Sequence, residues 1–221
     1  LLMTAQKNIV REVNAVFDFI EKPYSPIRFK ELLVSPNEMK QKFVRLINDE
    51  IRNKQAGKPA YIKVKINHVT DPVIVKKLYE ASANGVEIDM VVRGNCSLIT
   101  GVRGVSDTIR INGIIDRYLE HSRIFIFAAG GEEEVFIGSA DWMPRNLDNR
   151  IEVITPIYDA DLKADLRQVV EFGLKDTLQG RWVDGSGKNL PWDGNDGLPF
   201  RSQEALYNYY KDSIGENNEK G

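Results

Sequence analysis

Apolar residues recur at three- and four-residue intervals at Val10, Val13, Phe17 and Ile20, the spacing of one helical face, and predict an amphipathic helix over residues 5–21. Pro23 and Pro26 end it, because proline cannot continue the backbone ladder. Leu32, Leu33 and Val34 predict a short strand. Ser35-Pro36-Asn37-Glu38 then offers an N-cap, a proline at the first helical position and a glutamate three residues after the cap, so a second helix is expected from there to about Lys54. Gly57 and Pro59 introduce a strand over 60–66. Asp71 and Pro72 open a helix through Val75, Leu78 and Tyr79 that stops at Asn84-Gly85, a pair suited to a left-handed C-terminal turn. A strand over 87–92 follows, and the β-α-β succession predicts parallel strands joined by a crossover helix.

The second half begins with a loop over 94–108 carrying Gly101 and Gly104, long enough for a functional connection. Arg123-Ile-Phe-Ile-Phe127, a turn through Ala128, Ala129, Gly130 and Gly131, and the return Val135-Phe-Ile-Gly-Ser139 predict a β-hairpin. Glu132, Glu133 and Glu134 at its tip read as a solvated turn, and Trp142 and Met143 as packing residues. A strand is expected over 151–158 and a helix over 160–177, with Leu162, Leu166, Val169, Val170 and Leu174 on its buried side. Between 180 and 198 glycine, asparagine, aspartate and proline dominate, which reads as a linker or extended arm, and 201–211 as a short terminal helix. No internal repeat is evident. The expectation is an α/β fold with one domain over residues 1–178 and a glycine- and proline-rich extension over 179–221.

Candidate chemistry concentrates between Glu120 and Arg150. One of the two histidines of the chain, His121, lies there with Arg123, Arg145, Arg150 and the Gly138-Ser139 pair. Antiparallel pairing of the hairpin brings His121 and Ser139 toward one sheet edge. Ligands of open α/β sheets lie beyond the carboxyl ends of strands, where Asn67 and Arg93 are expected. Phosphoryl transfer needs positive donors aimed at phosphate oxygens more than it needs covalent chemistry, and these are suitable residues. Each has a plainer reading: His121 as a polar residue at a strand entry, Arg93 as a strand-end charge reaching solvent, and Arg145 and Arg150 as structural partners of Asp141, Asp148 or Glu152. His68 reads as a surface or loop histidine and Cys96 as a small buried residue.

The order His121-x-Arg123, strand, turn, strand, Gly138-Ser139-x-Asp141 resembles the phospholipase D superfamily, whose pattern is His-x-Lys followed by Gly-Ser-x-Asn. Arg123 stands where lysine is usual, Ala128 where that superfamily has an acidic residue, and Asp141 where it has asparagine. The fuller resemblance is to the C-terminal domain of the first class of polyphosphate kinase. It rests on Tyr118-Leu-Glu-His-Ser-Arg123, Gly138-Ser-Ala-Asp-Trp-Met-Pro-Arg-Asn-Leu147, Arg150-Ile-Glu-Val153, Val64-Lys-Ile-Asn67, Leu78-Tyr-Glu-Ala-Ser82 and Val92-Arg-Gly-Asn-Cys-Ser-Leu-Ile99. It implies a phospholipase D-like mixed sheet flanked by helices. It also implies reversible transfer of the terminal phosphate of ATP to inorganic polyphosphate through a phosphohistidine that lies in a preceding domain, outside this sequence. By the same resemblance His121 contacts ATP and acts as acid or base. Arg93 and Arg150 bind nucleotide phosphates, with Arg123, Arg145, Asn67 and Ser139 as further members of the phosphate site. Magnesium arrives with ATP, and no protein metal site is implied. ATP, ADP, polyphosphate and the rest of the same polypeptide are the partners, with self-association of the intact protein; the chain looks like an excised C-terminal fragment, inactive alone.

Composition narrows the alternatives without deciding between them. A formal charge of −2 argues against a generally basic nucleic-acid binder, so anion binding must come from local arginine placement. The lone Cys96 excludes an intrachain disulfide framework and a cysteine zinc site. There is no apolar run long enough to span a bilayer and no secretory leader pattern at the start, so a cytoplasmic location is expected. The resemblance adds peripheral attachment to the inner membrane face, although no amphipathic basic stretch supports it. Two other classes stay open: a phosphodiesterase or nuclease in which two copies of His121 face one another in a dimer, and a non-catalytic nucleotide- or polyphosphate-binding module.

Overall fold

The computed structural model describes residues 2–24, 26–194 and 198–218. Its helices are α1 (Lys7–Glu21), α2 (Met39–Gln55), α3 (Pro72–Ala83), α4 (Ala160–Lys175) and α5 (Ser202–Asn218). Its strands are β1 (Leu33–Ser35), β2 (Tyr61–Ile66), β3 (Glu87–Val92), β4 (Ile109–Ile114), β5 (Ile124–Phe127), β6 (Glu134–Gly138), β7 (Glu152–Ile157) and β8 (Gly180–Trp182). They form one mixed sheet in the order β1-β7-β6-β5-β2-β3-β4-β8. The strands β2, β3 and β4 run parallel, and every other neighbour pair is antiparallel.

The expected crossover holds: α3 connects parallel β2 and β3, with Asp71 accepting from the Val73 and Ile74 amides, both at 3.0 Å, and Gly85 in the left-handed region at φ +82°. Such a carboxylate satisfies two of the amides that a helix start leaves without partners. Helices α2 and α3 cover one face of the sheet, where Phe43, Phe125 and the fully buried Trp142 meet ring to ring at 4.9–5.4 Å between centroids. Trp142 is therefore a packing residue, as its sequence context suggests. On the other face Val170 and Leu174 of α4 pack with Val91, Ile114, Ile126 and Ile157. Leu162 at the start of α4 remains exposed, and α5 lies against α4 through Phe172 and Tyr209.

Several elements differ from expectation. Helix α1 turns Ile9, Val16 and Phe19 inward against Phe29, Leu32 and Val34, while Val10, Val13, Phe17 and Ile20 stay exposed. Buried Glu12 sets this rotation, because its carboxylate accepts from the amides of Lys30, Glu31 and Leu32 at 2.7–3.0 Å. Helix α2 starts at Met39 rather than at Pro36. Ser35 is committed instead to the ladder opposite Glu152, and its hydroxyl donates to the Asn146 carbonyl at 2.5 Å, so it caps nothing. Strand β4 follows the loop directly, and its Asn112-Gly113 pair lies inside the sheet. There the buried Asn112 amide donates to Gly173 O at 2.9 Å and to Asp176 O at 3.2 Å. The segment read as a linker contributes β8, which pairs with β4, and a buried Trp192 whose ring meets Trp182 at 4.2 Å, tilted by 48°. The hairpin tip is not simply solvated: Glu133 accepts from the Tyr61 hydroxyl and from Arg167 at 2.5 Å each.

The pairing register places one set of chain ends together. Lys65 of β2 lies opposite Ile124, Ile124 opposite Ile137, and Gly138 opposite Ile154. The carboxyl ends of β2, β3 and β6 and the starts of β5 and β7 therefore share one sheet edge. Gly138 is needed for the close approach there, since a Cβ would fall 2.3 Å from the Val153 carbonyl oxygen.

Candidate functional site

That shared edge carries Asn67, Arg93, His121, Arg123, Ser139 and Asp141, and a continuous chain of contacts links five of them. Arg93 Nε donates to Asn67 Oδ1 at 2.9 Å. The Asn67 backbone amide and side-chain amide both donate to Asp141 Oδ1, at 3.0 and 3.2 Å. Arg123 then donates to both oxygens of Asp141, from Nε at 3.2 Å and from Nη2 at 3.0 Å. Its Nη1 lies 3.2 Å from His121 Nδ1 and 3.1 Å from the His121 carbonyl. The same Nη1 lies 3.5 Å from His121 Nε2, so the guanidinium rests against the imidazole between its two nitrogens and holds the ring in place without selecting a tautomer. His121 itself is exposed at the edge.

Asp141 is the hub. Burial raises its pKa, but the hydrogen bond and charge of Arg123 and the donors of Asn67 outweigh that and hold the carboxyl below its ordinary 3.8. Two of the three departures from the phospholipase D pattern are thus one change in structural terms. Asp141 in place of asparagine is matched by Arg123 in place of lysine, a forked pair with only 5% and 11% of the two side chains exposed. Arg123 is consequently spent on Asp141 and on orienting His121, and is a poor candidate for direct phosphate contact.

The remaining candidates divide. The Nη groups of Arg93 meet no protein acceptor among the described residues, and a cavity of roughly 600 Å³ opens beside it, lined also by Arg181, Trp182 and Val183. Arg150 is exposed and lies 3.8 Å from Glu152, a loose pair. Arg145 is exposed in the π-helical turn Arg145–Asn149. Neither Asp141 nor Asp148 takes Arg145, since Asp148 pairs with Lys40. Ser139 ties β6 to β7, with its hydroxyl accepting from the Val153 amide at 3.2 Å, so it is a brace more than a free ligand. His68 lies in a loop, as expected, and is held there by its neighbours. Its Nδ1 accepts from the Asn95 amide at 3.0 Å, and its ring lies against Gly94, where a Cβ would come within 2.4 Å of the ring. It thereby fixes the bend that follows Arg93.

Sequence reasoning missed Lys65 and Glu120. The Lys65 ammonium, 3% exposed, pairs with Glu120 at 2.7 Å directly beside His121. The signal was present: Lys63 and Lys65 share one face of β2, and a lysine carried inside the sheet requires an acidic partner. Lys63 has its own in Glu171. Cys96, half-buried, has its thiol pushed up to about 11 by burial. It should resist alkylation by iodoacetamide at pH 8 in the native chain and react at the ordinary thiol rate once unfolded in urea. Rapid native labelling, followed by mass spectrometry, would contradict this environment. Among the described residues no group of three or more histidine, cysteine, aspartate and glutamate side chains is placed to hold a metal ion, and no helix is long and apolar enough to cross a membrane.

Residues 32–203 match the family described as polyphosphate kinase C-terminal domain 2. The chain is 45% identical over 210 residues to the polyphosphate kinase of Vibrio cholerae, covering 95% of this chain and 30% of that protein. The crystal structure of polyphosphate kinase from Porphyromonas gingivalis superposes with a TM-score of 0.90 at 41% identity, over 96% of this chain and 32% of that one. Nuc, a phospholipase D family member from Salmonella typhimurium, is similar in fold, with a TM-score of 0.50 at 16% identity over 70% of this chain and 97% of its own. The chain thus spans about a third of the length of the curated relatives it matches. With its matched segment, its near-full-length relatedness and the phospholipase D-like sheet all in agreement, the chain belongs to the polyphosphate kinase C-terminal domain family.

Proposed function

We propose that this chain is the nucleotide-phosphate grip of a polyphosphate kinase, working with the remaining length that its relatives carry. That protein would transfer the terminal phosphate of ATP reversibly to inorganic polyphosphate. The observation that carries the reading is the contact chain from Arg93 to His121 along one sheet edge. It ties an exposed imidazole to Arg93, whose Nη groups border a cavity suited to the rest of a phosphate-bearing substrate. Arg93 forks two hydrogen bonds onto phosphate oxygens. Arg150, loosely held by Glu152, swings to join it. His121 donates to a phosphate oxygen as negative charge develops there and recovers the proton in the reverse direction. The phosphorylated histidine is supplied by another part of the kinase, and magnesium enters with ATP as part of the substrate. The location is cytoplasmic.

A phosphodiesterase reading is less well supported, because the carboxylate at Asp141 neutralises Arg123 where that chemistry would want a free cation. Calorimetric titration of the chain with ATP and with tripolyphosphate tests the proposal. A charged hydrogen bond is worth about 1.5–3 kcal/mol, so Arg93→Ala should weaken both ligands by roughly ten- to a hundredfold. Affinity untouched by Arg93→Ala would refute the phosphate grip.

A further inference from the structure

The stretch between β4 and β5, residues 115–123, has no strand or helix of its own. It exposes Ile115, Tyr118 and Leu119, yet it delivers His121. Short peptide segments of this kind fluctuate unless side chains tie them down. Here the ties come from the opposite end of the chain. Arg201 forks onto Asp116, from Nε at 2.9 Å and from Nη2 at 2.6 Å. Gln203, in the first turn of α5, uses both ends of one amide on the segment. Its Oε1 accepts from the Tyr118 backbone amide at 2.9 Å, and its Nε2 donates to the Tyr118 carbonyl at 2.8 Å and to Glu120 Oε1 at 2.7 Å. The other Glu120 oxygen meets the buried Lys65 ammonium at 2.7 Å. The start of α5 is itself anchored, because the fully buried Asp176 accepts from both the amide and the hydroxyl of Ser202, at 2.8 and 2.6 Å.

We infer that Gln203 is a positioning residue for His121: with Lys65 it clamps Glu120 on one side of the imidazole while the Arg123–Asp141 pair holds the other, so the start of the C-terminal helix sets the imidazole's place at the phosphate site. The inference rests on the proposed role of His121, and its physical part stands without it. A side chain that bonds a backbone amide, a backbone carbonyl and a carboxylate within three consecutive residues removes most of the freedom of that turn. The imidazole is the next side chain along. Placement errors of about 1 Å at a reacting group cost on the order of a hundredfold in rate, which makes such a clamp worth having. Lys65 adds a fixed charge that cannot swing away, since it projects from the sheet interior.

Two variants separate positioning from simple stabilisation. Gln203→Ala removes all three contacts. Gln203→Glu keeps the shape and the acceptor for Tyr118 but turns a donor into a carboxylate facing Glu120. Tyr210→Phe is the control, since it loses only the contact of α5 with Asp165. The chain has two histidines, so their imidazole C–H resonances resolve separately by NMR. Both Gln203 variants should shift and broaden the His121 signals and leave those of His68 in place, and Tyr210→Phe should move neither. In the full-length kinase the same two variants should lower kcat by roughly ten- to a hundredfold, with KM for ATP little changed. Unmoved His121 signals in both Gln203 variants overturn the inference, as does a change in which both histidines move together with a loss of thermal stability. An inactive wild-type kinase would count against the proposed function alone, because the resonance comparison needs no turnover.

Discussion

Replacing His121 with alanine should lower turnover of the full-length kinase by about 10²–10⁴-fold, the usual contribution of a positioned acid or base, while leaving the thermal stability of the chain nearly unchanged. The two halves of that expectation have separate grounds. The ring is exposed, and its side-chain contact is with Arg123, which keeps its stronger partner Asp141 when the imidazole is gone. Nothing in the core is opened, so unfolding midpoints should coincide. The loss should appear in kcat in both directions of the reaction, because a group that stabilises charge in one transition state serves the same state in reverse. His121→Gln, which can still donate from an amide but cannot exchange a proton at that position, separates hydrogen bonding from proton transfer. Recovery of most activity by glutamine would reduce His121 to a phosphate-binding donor, and full activity in His121→Ala would remove it from the mechanism.

The second large effect concerns stability. Asp141→Ala should destabilise the chain by about 3–5 kcal/mol, as measured by urea unfolding, because it leaves a nearly buried guanidinium without its counter-charge. The amide of Asn67 would lose its acceptor at the same time. Asp141→Asn keeps the shape and an acceptor and should cost less. The pH dependence has a definite sign. The native carboxyl titrates below its ordinary 3.8, so its stabilising contribution is complete above the unfolded value and is lost as pH falls through the depressed native value. The stability gap between wild type and Asp141→Asn should therefore be constant at neutral pH and shrink from about pH 4 downward. A gap that widens in acid would show that the ion pair does not hold the carboxylate as described. Both variants also bear on the site, since Asp141 joins the Arg93–Asn67 half to the Arg123–His121 half.

These two expectations show how differently parts of the site were legible. His121 with Ser139, and Arg93 with Asn67, could each be placed at strand ends from the sequence, because hairpin alternation and strand-end position are local signals; that the two pairs share one edge came from the β2–β5 pairing. Whether Arg123 reaches phosphate or a carboxylate could not be read that way. Its partner is 18 residues away and across two strands, and the pairing depends on the register between β5 and β6. Ser139 illustrates the same limit: its position at the strand end was evident, but the neighbouring β7 backbone claims its hydroxyl.

What the chain determined by itself is the set of elements with strong periodicity or explicit caps: α3 between Asp71 and Gly85, parallel β2 and β3, the β5–β6 hairpin, and the family pattern running through His121 and Arg150. Local propensity and turn chemistry act over a few residues, so these survive whatever surrounds them. Tertiary structure decided the rest. It chose which of two apolar stripes on α1 faces inward, through Glu12 and the 30–32 amides. It held Asn112 inside the sheet by giving its side-chain amide buried carbonyls to bond. It also brought Gln203 back across 83 residues to Glu120. For Glu12 and Asn112 a buried polar group had to find a partner out of water, and the energy of leaving it unsatisfied outweighs any local preference.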